Sequence, residues 1–283
     1  MTVSQYIASA KGRLTPLYGT READWMMRII FQHLKGWNQV DLIVKGDLTV
    51  SEFMQGKADA IIERLLRHEP LQYIIGEAYW HGMNLKVTPA VLIPRPETSE
   101  LIDIIVSDNQ RTDLRVLDAC TGSGCIAVAL AVNLPFPRVS AFDISTKAIE
   151  VARENAEARK VKIDFTVADA LKRLPYDDES VDILVSNPPY IAEGEKADMD
   201  KNVLEYEPHT ALFVPDSDPL EFYTPLAKEG LRILSPEGRL YFEINPLFAA
   251  QLAESLRSMG WQDVEILTDM HGKKRFATAR KQS

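Results

Sequence analysis

Residues 115–127 read R-V-L-D-A-C-T-G-S-G-C-I-A: a short apolar run, a glycine-rich turn and the start of a second apolar run. Gly122, Gly124 and Ala127 fit the pattern G-x-G-x-x-A, which joins a parallel strand to a helix where glycine allows a ligand to approach the backbone closely. The pattern predicts a strand at 115–120 with a ligand site in the turn after it. A tight turn without a ligand is the alternative interpretation of these residues alone.

More apolar runs follow, at intervals that leave room for helices between them. The predicted strands are 139–144, 163–169, 181–187 and 239–244, and the clearest helices run from Thr146 to Lys160 and from Pro246 to Met259. The last two runs, 264–269 and 275–280, are joined by M-H-G-K-K, which is too short for a crossover helix, so they should pair antiparallel. The predicted fold class is α/β: a Rossmann-like, seven-stranded sheet, mostly parallel, with a reversed C-terminal hairpin.

The chain before this sheet has a different pattern. Up to Pro70 the apolar residues recur at helical spacing, which predicts a small helical domain over 1–70, and Thr49 with Glu52 predicts a capping box. This domain either recruits a substrate or only stabilises its neighbour, because periodicity reports burial and not purpose. The pattern of residues 71–95 predicts a short β-hairpin linker, and residues 96–283 are expected to form the domain with the ligand site.

Composition narrows the possible functions. The chain has 283 residues with 32 basic and 41 acidic side chains, a formal charge of -9, so no overall positive field attracts it to DNA or to an anionic membrane. We find no signal peptide and no apolar run of membrane-spanning length, and there are only two cysteines, so a cytoplasmic protein is expected. The five histidines have no metal-ligand spacing, and no metal site is predicted.

Three carboxylates fall at or near the ends of successive predicted strands: Asp118, Asp143 and Asp169. Asp143 stands where a carboxylate accepts the hydrogen bonds of a ribose diol. Asp118, just before the glycine turn, would repel a diphosphate but would suit an ammonium group, and Asp169 would lie beside an adenine amino group. Each acid alone is more simply an exposed residue at a strand end. Together they favour S-adenosylmethionine over a nicotinamide dinucleotide as the cofactor.

The fourth predicted strand runs into N-P-P-Y, Asn187 to Tyr190. Because both prolines lack an N–H and have a fixed φ, this segment is rigid and offers carbonyl oxygens without competing donors. The side-chain oxygen of Asn187 and the carbonyl of Pro188 can each accept one hydrogen of a planar NH2 group, and Tyr190 can supply an aromatic wall. The motif therefore predicts a site that holds an amide or amino nitrogen towards a methyl donor.

Such a nitrogen needs to be held. Its lone pair is delocalised into the adjoining π system, so it is a poor nucleophile until that conjugation is loosened. Fixed acceptors on both N–H bonds favour the more tetrahedral, cationic nitrogen that develops as the methyl group arrives. We expect no ionised base to act before the transfer, and the proton can leave afterwards to water.

Taken together, the motifs resemble those of the release factor glutamine methyltransferases, the HemK or PrmC family. The similarity extends from about Glu69 to Arg280. It rests on E-P-L-Q-Y-I-I-G, L-I-P-R-P-E-T, D-A-C-T-G-S-G-C-I-A, S-N-P-P-Y-I, E-Y-E-P-H-T-A-L and D-M-H-G-K-K-R. The resemblance implies a methyltransferase sheet and methylation, by S-adenosylmethionine, of N5 of the glutamine in the Gly-Gly-Gln motif of peptide chain release factors.

The resemblance also assigns roles to residues. The implied cofactor-binding residues are Cys120, Thr121, Gly122, Ser123, Gly124, Asp143, Asp169 and Ala170. Asp118, from its charge, and Asn187, from its position after the fourth strand, are predicted to contact the cofactor as well. The implied catalytic and substrate-binding residues are Asn187, Pro188, Pro189 and Tyr190. Arg95 is predicted at the substrate from its position alone, because two prolines hold the chain extended around it and it could face an anionic ligand. For Arg95, a surface position between two stiffening prolines is the alternative interpretation. The long connection Ile191 to Asp218 is expected to receive the release factor, with Glu207 as a solvated residue at its edge.

Three positions depart from the usual family pattern. Cys120 replaces the first glycine of the turn, Ser99 replaces a carboxylate, and Ala170 stands where some members have an aromatic residue. The departure at Cys120 raises the question of whether the backbone keeps the conformation that glycine would allow.

Two other functions remain open. A DNA adenine-N6 methyltransferase could use N-P-P-Y on a flipped adenine, although the acidic charge disfavours duplex binding. A non-catalytic, cofactor-binding scaffold that regulates translation is the second alternative.

Overall fold

The helical part of the chain is built around one long helix. The computed structural model describes residues 1–282, in which α1 spans Val3–Lys35, α2 Gln39–Val44, α3 Glu52–Leu65 and α4 Leu71–Ile75. Thr2 caps α1, and Gly36, at φ 67°, ends it. Gly19, at φ 75° and ψ 164°, interrupts the helical dihedrals of α1. Leu14, Ile30, Phe31, Ile62 and Leu65 are fully buried in the core of these helices.

The predicted capping box at Thr49 and Glu52 is wrong. Ser51 caps α3 instead, and its hydroxyl accepts from the backbone N–H of Met54. Ser51 is the residue directly before the first helical position, and its side chain can therefore reach the third N–H of the helix.

The chain divides into two compact units. One comprises Met1–Gly76 and Asp200–Tyr206; the other comprises Glu77–Met199 and continues from Glu207. The short helix α8, Lys201–Tyr206, therefore belongs to the helical unit, although it follows most of the sheet in sequence. Within that unit the hydroxyl of Tyr206 donates to the carbonyl of Arg67, at 2.7 Å.

The second unit begins with a hairpin. Strands β1 (Glu77–Trp80) and β2 (Met83–Lys86) pair antiparallel, with His81 and Gly82 at positive φ in the turn between them. The hairpin thus covers fewer residues than the sequence pattern predicts, because the residues from Leu71 to Ile75 form the helix α4. Gly76, at φ 79°, ends that helix.

A seven-stranded sheet forms the body of the second unit. Its strands are β3 (Arg115–Ala119), β4 (Arg138–Asp143), β5 (Ile163–Val167), β6 (Val181–Ser186), β9 (Leu234–Glu243), β10 (Gln262–Thr268) and β11 (Lys274–Arg280), in the order β10-β11-β9-β6-β3-β4-β5. The predicted fold class is confirmed: β10 and β11 pair antiparallel, and the other pairs are parallel except β11 with β9. Only β11 therefore runs against the rest.

Helices cover both faces of this sheet. One face packs against α9 (Tyr223–Ile233) and α10 (Ala249–Ser258). The other packs against α5 (Pro96–Asp108) and α6 (Cys125–Asn133), and α7 (Thr146–Arg159) packs beside β5. Strand order reverses between β3 and β6, because the chain winds from β3 towards β5 and then returns to the other side of β3. Ligands of doubly wound sheets bind at the carboxyl ends of the strands near such a reversal.

The long connection after β6 is itself ordered. Its ends pair as two short parallel strands, β7 (Ile191–Ala192) and β8 (Phe213–Val214). Between them lie α8 and two short 3₁₀ helices, Glu193–Asp198 and His209–Ala211. Across residues 1–282, no helix combines the length and the apolar character that crossing a membrane requires.

Candidate active site

A cavity of about 360 Å³ opens at the carboxyl ends of β3, β4, β5 and β6. Ten of the residues predicted from sequence line it: Arg95, Cys120, Thr121, Gly122, Ser123, Asp143, Asp169, Ala170, Asn187 and Pro189. Four others do not line it: Asp118, Gly124, Pro188 and Tyr190. The volume is within the range of small-molecule sites in proteins.

The turn after β3 supplies backbone to one wall of the cavity. Cys120, Gly122 and Gly124 have φ of 59°, 54° and 78°, so all three are left-handed. Cys120 thus adopts a left-handed conformation of the kind that favours glycine, the residue usual at this position in the family pattern. A Cβ on Gly124 would lie 2.9 Å from the Cβ of Ala152 on α7, whereas a Cβ on Gly122 would meet no atom within 4 Å. Packing therefore requires glycine at 124, while at 122 the requirement comes from the backbone conformation.

Asp118 holds this turn from beneath. It is completely buried at the end of β3, and one carboxylate oxygen accepts from the hydroxyl of Thr121 (2.5 Å) and the N–H of Ala127 (3.1 Å). The other oxygen has no hydrogen-bond partner among residues 1–282. Burial raises the pKa of Asp118 to about 7, although the bonds from Thr121 and Ala127 oppose that rise.

Asp143, at the end of β4, faces the cavity from the neighbouring strand. Its two carboxylate oxygens accept from the backbone N–H groups of Gly122 and Ser145, each at 2.9 Å. Burial raises its pKa, and these backbone bonds oppose that rise. Each oxygen keeps a further lone pair, so the carboxylate can still accept hydrogen bonds from a diol.

Asp169 and Ala170 follow β5 and form the next part of the wall. The backbone N–H of Leu171 donates to Asp169 at 2.9 Å and lowers its pKa, as does the nearby ammonium of Lys172. Phe142, Ala168 and Leu171 add apolar surface beside them. A flat, partly apolar group with a polar edge fits this part of the cavity.

Asn187 follows β6 directly and lines the same cavity. Its side-chain N–H donates to the hydroxyl oxygen of Thr98 on α5, at 3.3 Å. Thr98 in turn donates to Glu243, the last residue of β9, at 2.6 Å. Tyr190 does not line the cavity, contrary to the expected aromatic wall, and its hydroxyl donates to the other oxygen of Glu243, at 3.0 Å. The aromatic lining comes from Phe142, Phe213 and Phe222.

Arg95 lines the cavity, but its guanidinium is already paired. It donates to Glu207 at 2.7 Å, and the backbone N–H of Ile93 donates to the other oxygen of the same carboxylate at 3.1 Å. Glu207 is only 4% exposed, so the expectation of a solvated residue there is wrong. The two contacts anchor the connection after β6 to the segment before α5.

The hairpin of the second unit is also tied to the glycine turn. Asn155 on α7 is buried, and its side-chain amide bonds with both the N–H and the carbonyl of Lys86 at the end of β2. The same amide donates to the carbonyl of Ser123, at 2.8 Å. One side chain thus fixes two backbone segments, one of which belongs to the cavity wall.

Sequence reasoning missed Thr98, Glu243, Phe213 and Phe222. One signal was available for Glu243, because an acid inside the apolar run R-L-Y-F-E-I is costly to bury without partners. Thr98 stands in the P-R-P-E-T motif, but nothing local indicated its contact with β9. No group of three metal-ligating side chains occurs among the residues that the structure describes.

Comparisons with known proteins agree with this geometry. Residues 98–206 match the Methyltransferase small domain, and residues 5–76 match the PrmC N-terminal domain. A release factor glutamine methyltransferase from Bacteroides thetaiotaomicron is 40% identical over 279 residues, which cover 99% of this chain and all of that protein. One from Flavobacterium psychrophilum is 37% identical over 280 residues, or 98% of each chain.

A solved structure supports the fold. A methyltransferase from Pyrococcus furiosus covers 78% of this chain and 98% of its own, with a TM-score of 0.53 and 17% sequence identity. Fold and matched domain together place the chain among methyltransferases with a doubly wound sheet. More narrowly, the chain belongs to the family of release factor glutamine methyltransferases, as its similarity to full-length relatives shows.

Proposed function

We propose that this protein transfers a methyl group from S-adenosylmethionine to the side-chain amide N5 of the glutamine in the Gly-Gly-Gln motif of peptide chain release factors. The observation that carries the proposal is the position of Asn187: it lines the same cavity as the glycine turn and Asp143. A release factor substrate would place the reaction in the cytoplasm. The two full-length relatives, both release factor glutamine methyltransferases by name, support this choice of substrate.

The residues present fit the cofactor. In the proposal, Asp143 accepts from its ribose hydroxyls, Asp169 and the apolar surface around Ala170 receive its adenine, and the backbone of residues 120–123 lies along its amino-acid portion. The unpartnered oxygen of Asp118 is a buried acceptor directly beneath that turn, which suits a nearby positive charge. When bound, this cofactor supplies an electrophilic methyl group on a sulfonium. We propose no metal in the reaction.

Asn187 and the backbone after it orient the glutamine. We propose that the Asn187 side-chain oxygen and the Pro188 carbonyl each accept one N–H of the substrate amide, with Pro189 restricting its position. Acceptors on both N–H bonds stabilise the positive charge that develops on nitrogen during transfer, which is a preference for the transition state. Alignment of the reacting atoms adds to this, and well-oriented pairs gain roughly 7–11 kcal/mol.

Tyr190 acts as a donor rather than a base. Burial raises the pKa of its hydroxyl, and the neighbouring Glu243 raises it further, so the phenol keeps its proton at neutral pH. We therefore assign it to the support of the N-P-P-Y segment. The proton of the methylated amide leaves to water after the transfer.

The decisive experiment is mass spectrometry of purified release factor after incubation with this protein and S-adenosylmethionine. We expect a mass gain of one methyl group on the Gly-Gly-Gln peptide. Radiolabelled cofactor offered with release factor and adenine-containing DNA side by side tests the alternative substrate. Label in DNA alone would overturn the proposal, and no label in either would favour the non-catalytic scaffold.

Substitution of Asn187 tests the site itself. We expect Asn187→Ala to lower kcat by at least about 100-fold, because it removes a hydrogen-bond acceptor that stabilises the transition state. The dissociation constant for S-adenosylmethionine should stay within about threefold of the wild-type value. Asn133→Ala is the matched control and should keep full activity: Asn133 lies at the far end of α6, where its side chain donates to the carbonyl of Ala129. Full turnover by Asn187→Ala would contradict the assignment.

A further inference from the structure

Glu243 is a carboxylate buried beneath the N-P-P-Y segment. It is 1% exposed at the end of β9, and its two oxygens accept from two different hydroxyls, those of Thr98 and Tyr190. Its backbone carbonyl also accepts from the hydroxyl of Tyr223, at 2.9 Å. A carboxylate in this setting is rigidly placed, because its side-chain oxygens and its own carbonyl are all bonded within the core.

The directions of these hydrogen bonds determine how Asn187 is oriented. A threonine hydroxyl has one proton and two lone pairs, and the 2.6 Å contact directs the proton of Thr98 to Glu243. Thr98 can then offer only a lone pair to Asn187. The Asn187 amide must therefore present its NH2 end to Thr98, and its oxygen is directed away from that contact.

The opposite orientation of this amide would be unsuitable for the reaction. Which end of an asparagine amide is nitrogen is set by its hydrogen-bond network, because the two ends have nearly the same shape. A reversed Asn187 would turn its NH2 towards the NH2 of a substrate amide, so that two donors would meet. It would also place an oxygen against the lone pair of Thr98.

We propose that Thr98 and Glu243 are positioning residues for the glutamine reaction. The hydrogen bonds that link Glu243 to Thr98 and Thr98 to Asn187 fix the Asn187 amide so that its oxygen is free to accept from the substrate. This inference rests on the proposed function. In this arrangement, neither Thr98 nor Glu243 touches the methyl group or the substrate nitrogen. Thr98 lies at the cavity wall, and Glu243 acts only through it and through Tyr190.

The test compares two substitutions of Thr98. Thr98→Val keeps the shape of the side chain and removes the hydroxyl, whereas Thr98→Ser keeps the hydroxyl. We expect Thr98→Val to lower kcat on release factor by about 10- to 100-fold, since one hydrogen bond in a charge-assisted chain is lost. Thr98→Ser should recover kcat to within about threefold of the wild-type value. Calorimetric binding of S-adenosylmethionine should change less than about threefold in both.

Control variants separate positioning from folding. Thr112→Val, at an exposed position before β3, should match the wild type, and thermal melting reports whether each variant folds. Where Thr98→Val does not fold, Thr98→Ala removes the same hydroxyl and is expected to give the same loss. Full kcat in the variant without the hydroxyl, or equal losses in Thr98→Val and Thr98→Ser, would overturn the positioning role.

A second measurement does not depend on activity. NMR of asparagine-labelled protein reports solvent exchange of the Asn187 side-chain NH2, which should be slow in the wild type and at least about 10-fold faster in Thr98→Val, because its acceptor is gone. An inactive wild type with slow exchange would contradict the proposed function but would still support the hydrogen bonds from Glu243 through Thr98 to Asn187. Fast exchange in an active wild type would contradict the positioning role of Thr98 and Glu243 and leave the proposed function intact.

Discussion

Asp118 shows how much one buried carboxyl group can control. It is enclosed beneath the glycine turn, yet it bonds to both the turn and the first residues of α6. The sequence predicts that Asp118 faces the ammonium group of the cofactor, and in the structure it supports the backbone that lines the cavity. The oxygen that does not hold the turn has no hydrogen-bond partner within residues 1–282, so it stays open to the cofactor contact that we propose.

The raised pKa of Asp118 predicts a pH dependence of stability. The folded carboxyl binds its proton with a pKa of about 7, well above its ordinary value of 3.8, so between these values the folded state holds more protons. The free energy of unfolding should therefore increase as pH falls from about 7 to about 4, by up to ~1.4 kcal/mol per pH unit from this group. Asp118→Asn should remove that slope, measured by urea unfolding between about pH 5 and 8.

Asp182 supplies a control with the opposite shift. Burial raises its pKa, but hydrogen bonds from Arg115 and Ser235 outweigh burial and bring it down to about 2. The stability it contributes is present above its ordinary pKa and is lost only as pH falls towards 2. Asp182→Asn should lower stability without changing the slope between about pH 5 and 8. Parallel profiles for the wild type and Asp118→Asn would refute the Asp118 prediction.

At the scale of elements, sequence predicted the strands of the sheet well. Buried parallel strands read as short apolar runs, so 181–187 and 139–144 fall within one residue of β6 and β4. Short elements were less visible: α4 resembled a strand because Y-I-I is rich in aromatic and branched residues. The contacts between Thr98 and Glu243 join positions 145 residues apart, and no local pattern reports such a pairing.

The packing of the glycine turn on α7 gives a prediction at this scale. Gly124→Ala must place a Cβ 2.9 Å from Ala152 at a left-handed φ, so we expect it to lower the free energy of unfolding by about 2–4 kcal/mol. Gly122→Ala has the left-handed φ but free space, and should cost only about 1 kcal/mol. Urea unfolding of both variants measures the difference, and equal losses would contradict the packing argument.

The same pair of variants should separate folding from binding. Gly122 lines the cavity, whereas Gly124 does not. Gly122→Ala should therefore weaken S-adenosylmethionine binding more than its small effect on stability would suggest.

At the scale of the whole molecule, the purpose of the helical unit stays a prediction. All of the residues that line the cavity belong to the second unit. The helical unit is absent from a shortened chain that begins at Glu77 and has a flexible linker in place of residues 200–206. If that unit recruits the substrate, S-adenosylmethionine binding should stay within about threefold while KM for intact release factor rises at least about 10-fold.

Short glutamine peptides provide the comparison for that experiment. Their KM should be unchanged by the removal, because they lack the rest of the release factor. Loss of cofactor binding in the shortened chain would instead show that the helices serve to stabilise their neighbour, which is the simpler interpretation that their periodicity allowed.

The assignment of α8 to the helical unit also bears on biosynthesis. A ribosome delivers the polypeptide from its amino end, so Met1–Gly76 emerges long before Asp200–Tyr206. The bond from Tyr206 to the Arg67 carbonyl must therefore wait until β3, β4, β5 and β6 have left the exit tunnel. The first unit to emerge therefore stays incomplete while Glu77–Met199 is synthesised, and its final helix arrives only with the segment that follows the N-P-P-Y motif.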